Sequence, residues 1–240
     1  MILKTEFRKC AVMQPTYLSW SGYFNLIINS DVFVFLDDVQ YSKNSFFSRN
    51  RYPYKNKEGF QYLAAPIRKN ALDQKINESF FVEEEKWRKK HLSTIRHIYS
   101  KHPFFKDFFP ILEKSLVDES LKTLAALSID VTKGICDYLK LKKNFHISSE
   151  LNIHGNRSER LVSFCKKFDC GIYISPIGAK GYIEEDNVLP VSDVKVVYQK
   201  FIPKEYYQRG MDQFIPYMSM IDVIFNLGPE LSLEYVKDPI

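Results

Sequence analysis

The sequence predicts an α/β fold: a mainly parallel sheet with flanking helices, joined to a mostly helical insertion or subdomain. Three observations predict it. Residues 31–36 form an almost continuously apolar run, which is typical of a strand buried on both faces. A second apolar run, 10–13, lies before it with a helical pattern between the two, as in a βαβ unit. Helical periodicity then dominates residues 84–139.

The first unit begins with a short buried strand at 10–13. Pro15 ends this strand because proline cannot donate to a strand ladder. Residues 22–29 then predict a helix with Phe24, Ile27 and Ile28 on one side. The strand at 31–36 completes the unit.

Residues 50–67 predict a hairpin, with strands at 52–54 and 60–66 around a turn at 55–59. Residues 76–82 predict a further strand. Helices are predicted over 87–100, 105–114 and 120–139, and the first of them ends at His102 and Pro103.

This helical block sets the predicted domain boundaries. We expect an α/β core formed by 1–83 and 145–240, with 84–144 as a helical insertion. A single domain over 1–240 is the alternative, since 240 residues suit one large domain.

The last third predicts a return to the sheet. Residues 158–168 form an amphipathic helix capped by Ser158, followed by strands at 171–175 and 195–198. A C-terminal helix over 218–227 is expected to stop at Gly228 and Pro229.

Composition limits the function classes. A net charge of +5 permits an anionic ligand such as a nucleotide but does not demand nucleic acid. The four cysteines match no zinc motif and no CxxC pair, so free thiols in a reducing compartment are expected. Residues 1–9 lack an apolar signal region and no run is long enough to cross a membrane, which predicts a cytoplasmic protein.

Three polar clusters follow predicted strands. Ligands of open α/β sheets bind beyond the carboxyl ends of the strands, so these loops predict one site at one edge. The clusters are residues 14–23, residues 37–51 and residues 175–181. In the first, Gln14 stands at the strand end, and Gly22 and Tyr23 open a helix whose N-terminus attracts phosphate. A turn with packing aromatic side chains is the alternative.

The second cluster carries charges of both signs. Asp37 and Asp38 point to opposite sides of an extended chain, and a pocket carboxylate there could bind magnesium, contact a sugar hydroxyl or accept a proton from an amine. A turn-forming pair is the alternative. Arg49 and Arg51 share one face of a strand, which suits a phosphate or carboxylate ligand, whereas a solvated basic edge is the alternative.

The third cluster combines Gly178, Lys180 and Gly181 into a loop with one cation, which resembles phosphate-contacting loops only weakly. The histidines form no HExxH pair and are interpreted as structural or surface residues. No GxSxG motif is present and no cysteine is paired locally with histidine, so classical nucleophilic catalysis has no support. The spacings of the histidines and cysteines predict no metal site.

These segments closely resemble the WbqC-like family. The resemblance rests on residues 13–24 (MQPTYLSWSGYF), 31–41 (DVFVFLDDVQY) and 49–51 (RNR), and continues to 216–228 (PYMSMIDVIFNLG), in the expected order along nearly the whole chain. Ser19 departs from it, because members usually carry proline there. The resemblance implies a role in bacterial surface polysaccharide biosynthesis, with glycine or aminoacyl transfer to an amino sugar proposed for some members.

A fold-level similarity to the HUP class of Rossmann-like enzymes bears on mechanism. Those enzymes place Gly-His at the helix start, where the imidazole stabilises phosphate chemistry. Gly22-Tyr23 stands at that place in this sequence, which puts ATP chemistry in doubt.

Two functions are therefore carried forward. The first is an enzyme that joins an acyl group to the amine of a nucleotide-linked amino sugar, with ATP and Mg²⁺ or an aminoacyl-tRNA as the source of activation. The second is a non-catalytic module that binds a nucleotide sugar or RNA. In the enzyme, Asp37 or Asp38 would act as base while Gln14 and Tyr23 position the acyl group. The residues expected to bind substrate or phosphate are Tyr17, Gly22, Gln40, Arg49, Asn50, Arg51, Ser175, Gly178, Lys180, Asp222 and Asn226.

Overall fold

The computed structural model of the protein describes residues 7–43, 45–69, 71–82 and 86–240. Two predictions therefore fall partly outside the described residues: the absence of a signal peptide at 1–9 and the start of the helical insertion at 84.

The centre of the molecule is a parallel sheet of five strands in the order β5-β2-β1-β6-β7. The strands are β1 (Lys9–Met13), β2 (Val32–Phe35), β5 (Asn144–Ile147), β6 (Ile172–Ser175) and β7 (Lys195–Tyr198). The predicted mainly parallel α/β fold is thus confirmed. The chain runs outward from β1 to β5 and then crosses to β6 on the other side of β1. The order reverses at the β1–β6 boundary, which is where open α/β sheets usually bind ligands.

Alternating side chains of the central strands enter two different cores. Ala11, Phe33 and Phe35 belong to the larger core, whereas Cys10 and Val34 face the smaller one. A strand that is apolar on both faces needs cover on both sides, and this explains the unbroken apolar run that identified β2.

Helices cover both faces of the sheet. The larger core lies under α1 (Ser21–Asn29), α2 (Trp87–Tyr99), α3 (Phe105–Val117), α4 (Leu124–Tyr138) and α7 (Met220–Val236). The smaller core lies under α5 (Arg157–Lys167) and α6 (Lys180–Asp186). Side chains of α2, α3 and α4 thus share one core with α1 and α7.

A separate antiparallel hairpin, β3 (Arg49–Pro53) and β4 (Phe60–Ala64), lies beside the carboxyl edge of the sheet. It is anchored to the loop after β1, because Tyr17 N donates to Phe47 O (2.8 Å) and Asn50 Nδ2 donates to Leu18 O (2.6 Å). The predicted hairpin is confirmed.

Two local predictions were wrong. Residues 76–82 form a 3-10 turn at Ile76–Glu78 and isolated bridges at Phe80 and Phe81 instead of a strand. The cap of α5 is Asn156, in a capping box with Glu159, whereas Ser158 donates to Asp186 (3.0 Å). The predicted stop of the C-terminal helix at Gly228 is confirmed: the backbone of Gly228 is non-helical, and a second helical segment follows it to Val236.

Candidate functional site

The crevice at the β1–β6 boundary is filled by the protein itself. Ser175 at the end of β6 is fully buried, and Gln199 N donates to its carbonyl (2.8 Å). The Gln199 side chain donates to Gly22 O (2.7 Å) and to Asn25 Oδ1 (2.8 Å), which ties the segment after β7 to α1. Within the described residues, these contacts occupy the place where open α/β sheets usually bind a dinucleotide.

Gly22 accommodates a tryptophan. A Cβ placed on it would lie 2.1 Å from the ring of Trp20, so only glycine lets the indole lie across the first turn of α1. The same indole lies 5.8 Å from the Phe201 ring and 5.6 Å from the Tyr217 ring, measured between centroids. The N-terminus of α1, which the sequence predicted as a phosphate site, is thus covered by an aromatic cluster.

The open space lies next to this cluster, between the end of β1 and the hairpin. We call it the aromatic cavity. Its volume is about 680 Å³, within the range that holds a small-molecule ligand. It is lined by Met13, Thr16, Trp20, Tyr23, Ser45, Phe46, Phe47, Asn50, Arg51 and Tyr217.

Arg51 is the cation of the aromatic cavity. Its guanidinium carbon lies 4.4 Å from the centroid of the Phe60 ring and 5.4 Å from that of the Phe46 ring, and its Nε donates to the Tyr62 hydroxyl (3.4 Å). No carboxylate among the described residues forms an ion pair with it. A guanidinium held by aromatic faces keeps its hydrogen-bonding edge for an anionic ligand.

Arg49 lies on the same face of β3, as predicted, but it lines a second space. Its guanidinium carbon lies 4.5 Å from the centroid of the Tyr62 ring, so this ring contacts both arginines. Its Nε is buried without a hydrogen-bond partner in the described chain.

We call this second space the basic cleft, and its volume is about 640 Å³. Its lining includes four cations: Lys43, Arg49, Arg68 and Lys69. Gln40, expected to bind substrate, also lines it and donates to Leu72 O (2.7 Å).

Asp37 and Asp38 hold the end of β2 to the turn after β5. The buried Asp37 carboxylate accepts hydrogen bonds from Ser148 Oγ (2.9 Å), Ser149 N (3.0 Å) and Ser149 Oγ (2.7 Å). Asp38 forms an ion pair with Arg160 of α5 and lies 2.5 Å from Ser148 Oγ, whose single proton is shared between the two carboxylates. Burial alone would raise the pKa of Asp38, but the hydrogen bonds from Arg160 and Ser148 bring it below its usual value. Neither carboxylate lines the aromatic cavity or the basic cleft.

Asp222 and Asn226 accept hydrogen bonds from the segment between β7 and α7. The fully buried Asp222 accepts hydrogen bonds from the Tyr206 hydroxyl (2.5 Å) and Gln208 Nε2 (3.0 Å), and Asn226 Oδ1 accepts one from Arg209 N (2.9 Å). Burial raises the pKa of Asp222 to about 6, since these hydrogen bonds only partly offset the cost of desolvation. Neither residue lines the aromatic cavity.

Of four other residues predicted in the first two clusters, two line the aromatic cavity and two do not. The Tyr17 hydroxyl is buried in a 2.8 Å hydrogen bond with His91 Nδ1, away from the cavity. Tyr23 lines the cavity, but its hydroxyl is buried without a partner in the described chain, and burial raises its pKa well above the usual value. Asn50 lines the cavity and holds Leu18 O, while Gln14 is half-buried at the end of β1.

The third cluster does not join the aromatic cavity. Gly178 and Lys180 are exposed, and Lys180 pairs with Glu184 at 3.7 Å. A Cβ on Gly178 would meet nothing within 4 Å, so this glycine makes room for no described group.

Sequence reasoning missed much of the cavity wall. Trp20, Phe46 and Tyr217 form a large part of it, yet the sequence analysis assigned them no function. The only sequence signal for them is the excess of aromatic residues, 15%, which equally fits core packing.

The described residues contain no cluster of three or more His, Cys, Asp or Glu side chains that could hold a metal ion. None of their helices is both long and apolar enough to cross a membrane.

Comparisons with known proteins give a match over most of the chain. The model described as the WbqC-like protein family matches residues 14–233. A protein of Mycobacterium tuberculosis, described as uncharacterized, is 29% identical over 224 residues, which cover 93% of this chain and 95% of that protein. No solved structure matches.

Proposed function

This chain belongs to the WbqC-like protein family, and on that premise we propose that it transfers an amino acid or another acyl group to the amine of a nucleotide-linked amino sugar. The product is an amide, made for a bacterial surface polysaccharide such as an O-antigen or a capsule. The aromatic cavity is the proposed acceptor site.

The observation that carries the proposal is Arg51 in its aromatic surroundings. A nucleotide-linked sugar presents a flat base and charged phosphates joined to a polar ring. The rings of Trp20, Phe46 and Tyr217 offer faces for stacking, and Arg51 offers a cation without a carboxylate partner in the described chain. Thr16 and Asn50 add polar groups to the wall that suit sugar hydroxyls.

The reaction needs positioning more than a dedicated base. The amine attacks the acyl carbon, a C–N bond forms, a C–O bond to the donor breaks, and the leaving oxygen takes up the proton that the amine releases. Holding amine and acyl carbon together supplies much of such a rate enhancement. Asp37 and Asp38 act here as structural residues, because their oxygens already accept hydrogen bonds from the protein.

The donor need not be made in these cavities. Their described lining residues include no carboxylate, so they offer Mg²⁺ no charged oxygen ligand. The acyl donor is therefore supplied in the test both as glycine with ATP and as glycyl-tRNA.

The test is amide formation measured by mass spectrometry. The protein is incubated with nucleotide-linked amino sugars and glycine, supplied either with ATP and Mg²⁺ or as glycyl-tRNA. We expect a product heavier by one glycyl residue. In Arg51→Ala we expect kcat/KM to fall about 10- to 100-fold, since a charge-assisted hydrogen bond contributes about 1.5–3 kcal/mol. Arg96→Ala, an exposed arginine paired with Glu113, is the control and should keep its activity.

A binding module without turnover is the second candidate. It is favoured by the described lining of the aromatic cavity, which holds no carboxylate and no histidine for proton transfer. Saturable binding of the nucleotide sugar without product for any donor would establish this candidate and contradict the transferase.

Asp38→Asn separates a base from a structural residue. We expect lower stability and an unchanged rate per folded molecule, because the Arg160 pair would be lost. If turnover disappears while folding and binding remain intact, Asp38 is the base after all.

A further inference from the structure

The exposed face of the hairpin alternates arginines with aromatic rings. Tyr62 is 38% exposed and contacts both Arg49 and Arg51, while Phe46 is 47% exposed and contacts Arg51 and, at 6.3 Å between ring centroids, Tyr62. Exposed rings next to cations that form no ion pair within the described chain are typical of a ligand-binding surface.

The basic cleft continues this face on the Arg49 side. Lys43 and Lys69 are exposed and form no ion pair with any other described residue. Together with Arg49 and Arg68 they give the cleft four positive charges, and its described lining carries no negative charge. Such a concentration of one sign attracts a polyanion.

We propose that this surface, made of the basic cleft and the Arg49–Tyr62–Phe46 face, binds the single-stranded end of an RNA. The cations contact successive phosphates, and unpaired bases stack on Tyr62 and Phe46. Rings next to a positively charged groove are the general means by which proteins hold unpaired nucleotides.

The physical features favour an unpaired strand over other polyanions. A duplex hides its base faces within its own stack, so it could use the cleft but not the rings. A magnesium-bound nucleotide would need oxygen ligands that the described lining lacks.

This surface adjoins the proposed acceptor site. Arg49 lines the basic cleft, and Arg51, two residues along the same strand, lines the aromatic cavity. An RNA end on the first would reach the second, so the RNA would be the acyl donor. That last assignment rests on the proposed function, whereas the binding surface does not.

The test measures binding, not transfer. Fluorescence anisotropy follows a labelled single-stranded RNA of about eight nucleotides, a typical length for such sites, titrated with the protein over a range of salt concentrations. With Lys43, Arg49 and Lys69 engaged, we expect log K against log salt to have a slope of about −2.1, at about −0.7 per phosphate on a single strand.

The variants separate charge from stacking. Lys43→Ala with Lys69→Ala should reduce the slope to about −0.7. The matched control, Lys106→Ala with Lys114→Ala, removes the same charge from exposed positions of α3 and should leave the slope unchanged. Tyr62→Ala should weaken binding about tenfold without changing the slope, because it removes only a stacking face.

Three results would overturn the inference: no binding of the RNA at low salt, equal loss of affinity in the control pair, or equal competition by duplex RNA of the same sequence. Each is distinguishable from failure of the proposed function. RNA binding without amide formation would support this binding surface and contradict the transferase. Amide formation with ATP but without RNA binding would support the transferase and contradict the RNA-binding surface.

Discussion

At the scale of single residues, two arginines on one strand face have different surroundings. Arg51 lies among three rings at the aromatic cavity, while Arg49 lines the basic cleft with a buried, unpaired Nε. The sequence predicted that they share a face because strand side chains alternate. It could not predict that the ring of Tyr62, on β4, contacts both of them.

The ionisation of the buried Asp222 carboxyl is coupled to folding. Its pKa in the folded protein is raised to about 6 by burial, against about 3.9 in an unfolded chain. The folded state therefore holds this proton more tightly, so the contribution of Asp222 to stability falls as pH rises from about 4 to about 6. A shift of about two units corresponds to roughly 3 kcal/mol.

We predict that the stability advantage of the wild type over Asp222→Asn shrinks by about 3 kcal/mol between pH 4 and pH 7. Urea unfolding at each pH measures it. The difference between the two proteins is needed because His91 and His102, whose pKa values burial lowers to about 4, act in the opposite direction. A difference that stays constant with pH would contradict the raised pKa.

At the scale of elements, segments with a clear apolar pattern were predictable from the sequence. Short segments whose structure depends on contacts with residues distant in the sequence were not. The sequence predicted β1, β2, the hairpin and α2 within a few residues, because their apolar patterns alone define a buried face. It missed β5 and α6, which are short and are held by their neighbours. It misassigned 76–82, where Ser79 Oγ donates to Lys75 O (2.8 Å) and Phe80 bridges to Thr123.

The kink in α7 depends on one glycine. Gly228 has φ +73° and ψ −177°, a conformation essentially restricted to glycine, and a Cβ there would lie 2.5 Å from the ring of Phe104. Pro229 then starts the second helical segment, where its fixed φ is suitable.

We predict that Gly228→Ala lowers the free energy of unfolding by about 3 kcal/mol or more, from backbone strain together with the clash. Gly181→Ala is the matched control, since a Cβ there meets nothing within 4 Å and lies inside α6. Chemical denaturation of both variants measures the effect. Equal stabilities of the two would contradict this account of the kink.

At the scale of the whole molecule, the sequence predicted where ligand loops meet but not which space stays open. The first two clusters follow β1 and β2, and the third follows β6, so all lie at one edge of the parallel sheet. The crevice is nevertheless filled by Gln199 and covered by Trp20 and Phe201. Gln199 is far from Gly22 in sequence, and no local pattern predicts that contact. The open space therefore lies beside the hairpin.

Trp20 supplies an internal reporter for this space. The protein has two tryptophans. Trp20 lines the aromatic cavity, whereas Trp87 is buried and its Nε1 has no hydrogen-bond partner in the described chain. Trp87→Phe therefore removes the second fluorophore without breaking a described hydrogen bond.

The most direct test of the central claim, that the aromatic cavity holds a nucleotide-linked amino sugar, is a fluorescence titration of the Trp87→Phe protein with that ligand. We predict a saturable change in Trp20 emission, and a dissociation constant about tenfold or more higher when Arg51→Ala is added. Saturable binding by calorimetry that leaves Trp20 emission unchanged and is insensitive to Arg51→Ala would contradict the claim.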